Sequence, residues 1–377
     1  MSRIRVAYDS TSLLDTRTGI SHTAAQTLEA LAANHLDALD LYPYAITWSG
    51  RHDLAATVPA TTHPCARPIP ARLARWGWQH LNAPRIERWT GPIDVVHATA
   101  YVVPPSKAPV IVTIADLNYI RYPEFCTPDV LTYPAMVQRA LDQGAVVHTI
   151  SEFVNQEVRD YYNLPAERVV NIYPGILPSG GGDPARGKKL VGSERYLVSL
   201  GTVEPRKNLP ALVRSFDEIA ANHPDLRLVI AGAPGWGSES LDQAIAAAHT
   251  RDRIVTLGYV DESTRCDLLA GAIALVYPSF YEGFGLPPLE ATQAGVPTVA
   301  SNAGSLPEVL GDSALLPDPN DEDAIKKALS QIINDKELRA TLVARGRERL
   351  TKFSWEKTAA ELCALYQRVA QESPRAR

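Results

Sequence analysis

Residues 277–297 read YPSFYEGFGLPPLEATQAGVP. An apolar strand ends at Tyr277, a loop carries Glu282, Gly283, Phe284 and Gly285, and a helix opens over Leu286–Pro288. The prolines suit a first helical turn, which needs no donors from them. Glycines in such a loop let the backbone approach a ligand closely. The N–H groups and the dipole at a helix start attract phosphate. Glu290 follows one turn into the helix, where a carboxylate can accept the paired hydroxyls of a ribose, as acidic groups in dinucleotide-binding folds do. Glu282, in the loop, can accept hydroxyls of a sugar. Each piece alone is weak, since a helical glutamate is usually solvated and a Gly-x-Gly loop is usually only a turn. The combination at this spacing is far more specific.

Working outward, the same strand–loop–helix unit recurs along the chain. Short β-branched runs alternate with helical patterns, the signature of parallel sheets built from βαβ units. In the first half the strands fall at 4–8, 39–45, 94–97, 110–114, 146–150 and 169–172, with helices over 20–33, 128–141 and 152–161. A second series begins at Tyr196 and continues at 226–231, 254–257, 274–277, 298–300 and 314–316. The expected fold is therefore α/β, with two Rossmann-like domains facing each other across a cleft. The first domain is expected over 1–178 and the second over 195–354. Residues 179–194, rich in Gly, Pro and charge, read as a flexible linker. The helical pattern from Trp355 lies in a last segment, 355–377, that is expected to pack back on the first domain.

Length and composition agree with this division. The chain has 377 residues, which suits two domains of roughly 150–190 residues each. A hydrophobic share of 45% with 21% charged residues marks a globular chain. Net charge is −5, against the basic excess of a nucleic-acid binder, so no nucleic acid is expected as a partner. No run of 18 or more apolar residues is present, which excludes an ordinary transmembrane helix. The start, MSRIRVAYDS, enters the first strand at once, so no signal peptide is expected. Cys65, Cys126, Cys266 and Cys363 lie far apart without a C-x-x-C pair, as isolated reduced thiols of a cytosolic protein do. The nine histidines do not cluster as zinc ligands, and no metal site is expected.

A second informative stretch is SLGTVEPRKNLPALVRSF, residues 199–216. A strand ends in Gly201, and a short loop presents Arg206 and Lys207 before a helix. Two adjacent cations at such a junction can neutralise a diphosphate leaving group as charge develops on it. A solvated surface pair is the ordinary alternative.

Together, PSFYEGFGLPPLE and EPRKN closely resemble the retaining nucleotide-sugar glycosyltransferases of glycosyltransferase family 4, which have the GT-B fold. That family carries two glutamates separated by seven residues in a P-S-x-x-E-G-F-G-L-P context, and an R-K-N triplet. The resemblance implies that Glu290 holds the donor ribose and Glu282 contacts the transferred sugar. It places the Gly283–Leu286 amides, including those of Phe284 and Gly285, on the diphosphate, with Arg206 and Lys207 on the same phosphates beside Gly201. It further implies retention of anomeric configuration, no required metal and no cofactor beyond the nucleotide sugar. The departing phosphate itself then deprotonates the acceptor.

The first domain matches the family more loosely. TGIS at 18–21 stands where the family has a glycine-rich G-I-G loop near the acceptor, with Gly19 kept and Ser21 in place of the second glycine. His97 at a strand end and Ser151 in TISEF match cleft-facing segments, although a structural histidine is an equal alternative. VTIADL at 112–117 departs from the family's V-T-x-H-D-L: Asp116 is present, but Ala115 replaces the histidine that lies beside the donor sugar. Alanine can neither donate a hydrogen bond nor orient a hydroxyl. Either the enzyme works without the imidazole, or the position is an engineered inactivating change, or the chain is an impaired homologue.

Residues 67–89, RPIPARLARWGWQHLNAPRIERW, interleave five arginines with Trp76, Trp78 and Trp89. Two readings stand: an interfacial segment for anionic lipid headgroups, or a helix with its tryptophans in the core. The overall likeness is greatest to bacterial mannosyltransferases of O-antigen and exopolysaccharide assembly. It makes GDP-mannose the expected donor, a glycan or lipid-linked glycan the acceptor, and the location cytoplasmic, peripheral at the inner face of the membrane. Rival readings are a nucleotide-sugar-binding protein without turnover, suggested by Ala115, and a nucleotide-sugar epimerase or a phosphorylase on the same architecture. No motif here points to the pyridoxal-phosphate lysine a phosphorylase needs.

Overall fold

The computed structural model describes residues 3–14, 19–48, 52–176 and 181–372. The chain divides into two compact units, Met1–Gly175 with Phe353–Arg377, and Ile176–Lys352. Strands of the first unit are β1 Ile4–Asp9, β2 Leu39–Thr47, β3 Cys65–Pro68, β4 Val95–Ala98, β5 Val110–Ile114, β6 Val146–Thr149 and β7 Val169–Asn171. They pair in parallel in the order β3-β2-β1-β4-β5-β6-β7. The second unit holds β8 Arg195–Leu200, β9 Leu226–Ala231, β10 Ile254–Gly258, β11 Ala274–Tyr277, β12 Thr298–Ala300 and β13 Ala314–Leu315. These are parallel in the order β10-β9-β8-β11-β12-β13. Both sheets therefore run outward in two directions from their first strand, the doubly wound Rossmann order. Central strands such as β4 (VVHA) and β11 (ALVY) are buried along their whole length, as sheets covered by helices on both faces require.

Helices that matter below are α1 Gly19–Asn34, α2 Ala71–His80, α3 Pro184–Val191, α4 Leu209–Ala220, α5 Glu262–Gly271, α6 Leu286–Gln293 and α7 Trp355–Glu372. The apolar face of α7 (Ala359, Leu362, Leu365, Tyr366, Val369) joins Val6, Leu28, Leu31 and Leu41 in one core of the first unit. In the second unit α4 supplies Leu209, Leu212, Val213 and Phe216 to a core with Leu228, Ile230 and Val276.

Two features depart from the sequence expectation. Strand β3 (CARP) was not expected, because it is short, half polar and ends in Pro68. It pairs only with β2, at the sheet edge, where a missing N–H is tolerated. The segment read as a flexible linker over 179–194 instead holds helix α3, within the second unit. Asp183 caps it, accepting from the Ala185 N–H at 2.9 Å, and its own N–H donates to Asp267 Oδ1 at 2.6 Å. The glycines taken for flexibility are there for close packing. A Cβ on Gly182 would meet the Cys266 carbonyl oxygen at 2.0 Å, and one on Gly187 the Asp267 carbonyl oxygen at 2.1 Å. Residues 179 and 180 of that segment lie outside the described residues.

Candidate active site

In a doubly wound sheet, ligands bind beyond the strand C-termini where the strand order reverses. In the second unit that point lies between β8 and β11. The two motifs singled out in the sequence follow these two strands. After β8 the chain passes Gly201 (φ +133°) and makes a 3₁₀ turn over Pro205–Lys207, and α4 then starts at Leu209. After β11 a loop leads to α6, entered through Gly285 at φ +99°. The Phe280 N–H donates to the Arg206 carbonyl at 2.9 Å, stitching one loop to the other.

Four charged side chains meet there. Glu282 is buried, with Arg206 Nη1 at 2.9 Å from one carboxylate oxygen and Lys207 Nζ at 2.7 Å from the other. Arg206 also donates to Glu204 and, at 2.7 Å, to the Tyr281 carbonyl. Lys207 donates to the Tyr277 hydroxyl and lies 4.5 Å from the centre of that ring. Burial pushes the Glu282 carboxyl up, but the charges of Arg206 and Lys207 override it and hold the group down at about 2. The Lys207 ammonium is pulled below its ordinary value by burial and by Arg206, with Glu282 and Glu204 opposing. Two cations are thus held against two carboxylates, preorganised in a water-poor place where charge stabilisation counts most. Glu204 and Tyr277 were missed in the sequence, although Glu204 stands in the quoted stretch two residues before Arg206.

Gly283, Phe284 and Gly285 are buried, and Leu286 is half-buried at the start of α6. Glu290 is half-buried on α6, where Arg265 of α5 donates from Nη1 to both carboxylate oxygens at 2.8 Å. Burial pushes the Glu290 carboxyl above its ordinary value, while Arg265 pulls against that rise. Among the described residues no group of three or more His, Cys, Asp or Glu side chains is arranged to hold a metal ion. A D-x-D run at 321–323 is spent elsewhere: Asp321 caps a helix, Glu322 pairs with Arg214 and Asp323 with Lys326.

A sequence model of the "Glycosyl transferases group 1" family matches residues 185–349, which contain all of these groups. The O-antigen chain mannosyltransferase B of Escherichia coli is 33% identical over 283 residues, 72% of this chain and 74% of that protein. The chain belongs to the group 1 glycosyltransferases. The serotype-specific mannosyltransferase WbdA of Escherichia coli is 28% identical over 62% of this chain, which spans only 30% of WbdA. Among solved structures, sucrose-phosphate synthase from Thermosynechococcus elongatus superimposes with a TM-score of 0.78 at 19% identity, over 98% of this chain and 100% of that one. With both sheets in Rossmann order, the fold of this glycosyltransferase is GT-B.

Sequence-expected residues of the glycosyltransferase's first unit fare unevenly. Gly19 opens α1 and is exposed, whereas Ser21 is buried within that helix; Thr18 of the same motif lies outside the described residues. Ala115 and Asp116 follow β5, half-buried, and Asp116 Oδ1 accepts from the Asn118 N–H at 3.1 Å. Ser151 is buried and caps the helix Glu152–Tyr162, accepting from the Val154 N–H at 3.2 Å.

His97 corrects the expectation of a cleft-facing ligand group: it is fully buried, with both ring nitrogens bonded inside the unit. His148 Nε2 donates to the Ile172 carbonyl at 3.2 Å, so its Nδ1 must accept from the Thr113 hydroxyl at 2.9 Å. Thr113 in turn accepts from His97 Nε2 at 2.8 Å, and His97 Nδ1 accepts from Tyr366 of α7 at 2.6 Å. Every proton in the chain is placed with both rings neutral, and burial lowers both imidazoles, His148 to about 4. A group the sequence did not flag is Asp9, which ends β1 where the first sheet's order reverses. Burial pushes its carboxyl up to about 6 against hydrogen bonds from Thr11.

The arginine–tryptophan segment divides between its two readings. Trp78 is buried and donates to the Pro84 carbonyl at 3.0 Å, and Trp89 packs on a core of Ala7, Tyr44, Ile86 and Val96. Trp76, Leu73 and Leu81 are 55%, 62% and 63% exposed. Arg67, Arg72, Arg75, Arg85 and Arg88 are exposed as well. No helix of the described residues is long and apolar enough to cross a membrane.

Proposed function

We propose that the chain is a metal-independent, retaining family 4 mannosyltransferase, which moves mannose from GDP-mannose to a hydroxyl of a glycan or lipid-linked glycan. The observation that carries this reading is the set Arg206–Glu282–Lys207 at the switch point of the second unit, with Glu290 on the adjoining helix. Arg206, Lys207 and the N-terminal amides of α6 receive the diphosphate, and their charge is worth more as the sugar–phosphate bond breaks and negative charge collects on the leaving oxygen. Two fixed side-chain cations here supply the charge stabilisation a divalent ion gives elsewhere. Glu282 meets the hydroxyls of the sugar, Glu290 the ribose, and the departing phosphate takes the acceptor proton. Asp116 belongs to the catalytic set, and Gly19 and Ser21 to the acceptor side. The choice of mannose rests on the names of the relatives, and that of guanine on the resemblance drawn from the sequence. Ala115 removes the imidazole donor beside the sugar, so transfer is slow while nucleotide binding is kept.

Thermal melting of the full chain with GDP-mannose, UDP-glucose and ADP-glucose tests the donor site, because a ligand present at about 100 times its Kd stabilises the native state by about 2.7 kcal/mol. GDP-mannose is expected to raise Tm the most. A larger rise with another nucleotide sugar replaces the base, and no rise with any of them defeats the donor-site reading.

Contact with a membrane surface through 67–89 is part of the same reading. Helix α2 turns Ala74 and Trp78 inward and Arg72, Leu73, Arg75 and Trp76 outward. Each cation near an anionic leaflet contributes about 1 kcal/mol. Changing Arg72, Arg75, Arg85 and Arg88 together to Gln is expected to abolish co-sedimentation with phosphatidylglycerol vesicles, and unchanged co-sedimentation defeats the membrane contact.

A further inference from the structure

Glu290, assigned above to a ribose, already has a partner. Arg265 Nη1 stands 2.8 Å from each carboxylate oxygen, so one nitrogen straddles the carboxylate and fixes its plane. A carboxylate offers about four lone-pair sites, and this contact leaves the others pointing away from the guanidinium. Arg265 is presented by a helix that is itself held fast. On α5, Asp267 accepts the Asp183 N–H at 2.6 Å and pairs with Arg186 at 3.2 Å, while Gly182 and Gly187 pack against the α5 backbone at Cys266 and Asp267.

Other ionisable groups near Glu290 do not do this work. Glu262 on α5 is negative and disfavours a second charge beside it. The Cys266 thiol is itself pushed up, chiefly by burial. Arg347 lies at the far end of α6, against Gly295.

We propose that Arg265 is a positioning residue for nucleotide binding: it keeps Glu290 ionised and turned so that its outward lone pairs accept the vicinal hydroxyls of a nucleoside diphosphate. The inference rests on the ribose role of Glu290 proposed above. Its sign is definite. Burial and Glu262 favour the neutral carboxyl, and Arg265 opposes both. A neutral carboxyl has turned one acceptor oxygen into a donor and cannot receive both hydroxyls. Without Arg265 the carboxyl pKa rises, so nucleotide affinity becomes weak at low pH and recovers as pH rises past the new value.

The test is calorimetric titration of the full chain with GDP, UDP and ADP over a series of pH values from mildly acidic to mildly alkaline, for the parent, Arg265→Ala, Arg265→Lys and Glu290→Gln. Unliganded melting temperatures are recorded to confirm folding. For whichever nucleotide the parent binds best, Arg265→Ala is expected to weaken binding on the order of tenfold near neutrality, as loss of a charge-assisted contact does. That loss should shrink as pH rises, and Arg265→Lys should restore most of the affinity. Glu290→Gln should weaken binding at every pH. An Arg265→Ala variant that binds like the parent, or is weakened equally at all pH values without rescue by lysine, overturns the positioning role and leaves the ribose reading standing if Glu290→Gln is still weak. Parent-like binding by Glu290→Gln overturns the ribose reading and this inference with it, as does the absence of binding of all three nucleotides to the parent.

Discussion

Lys207→Ala is expected to lower kcat/KM for sugar transfer on the order of 10²–10³, the usual effect of removing one preorganised donor from a site where charge develops. The same change is expected to destabilise the second unit. Lys207 is one of two cations that hold Glu282 ionised in a buried place, 2.7 Å from its carboxylate. Breaking a buried pair by removing one partner costs about 3–5 kcal/mol, because the remaining charge stays buried. Arg206 remains at 2.9 Å and offsets part of that cost, so the lower figure applies. For a unit of this size, about 3 kcal/mol corresponds to a fall in Tm of roughly 6–12 °C. Activity measured well below the lowered Tm separates the two effects. A variant that melts early but turns over like the parent would assign Lys207 to structure alone.

Gly304→Ala should be nearly as damaging, although Gly304 bears no functional group. The residue sits at φ +60°, and an alanine Cβ there would lie 2.5 Å from the carbonyl oxygen and 2.6 Å from the nitrogen of Glu282. Both atoms are backbone and cannot swing aside. Ser305 adds to the confinement, since its N–H and its hydroxyl both donate to that carbonyl at 3.0 Å. An alanine must therefore displace the segment that carries the Glu282 side chain against Arg206 and Lys207. A shift of about 1 Å at a reacting centre can cost on the order of 10² in rate, and that loss in kcat/KM is expected here. Gly144→Ala is the control, because Gly144 has φ +88° with open space around its Cβ position. It carries the left-handed strain of about 1–2 kcal/mol without touching the site. Equal loss of activity in both variants would mean that strain, and not displacement of Glu282, is responsible.

How much of this was legible in the sequence depends on how local each feature is. The βαβ rhythm and the two motifs at the switch point of the second unit could be read because each lies within a dozen or so consecutive residues whose spacing carries the meaning. Gly182 and Gly187 were misread because a missing side chain looks the same in a flexible linker and in a close backbone contact; only the partner helix α5 tells them apart. His97 stayed open between a ligand contact and a structural role because a strand-end histidine carries no mark of its surroundings, and its neighbours Thr113, His148 and Tyr366 come from β5, β6 and α7. Trp76 and Trp78 are two residues apart on one helix, yet one is exposed and the other buried. Arg265 escaped notice for the same reason as Thr113: its partner Glu290 belongs to another element, and no periodicity links them.

The most direct test of the account follows labelled mannose from GDP-mannose into a glycan acceptor, using the parent chain, Ala115→His and Lys207→Ala under one set of conditions. Restoring the imidazole is expected to raise transfer on the order of 10²–10³ above a slow parental rate, the range of a transition-state hydrogen bond, and Lys207→Ala is expected to bring transfer close to background. If the parent and Ala115→His both bind GDP-mannose and neither transfers nor hydrolyses its sugar, the second unit is a nucleotide-sugar binding site without turnover, and the transferase account is wrong.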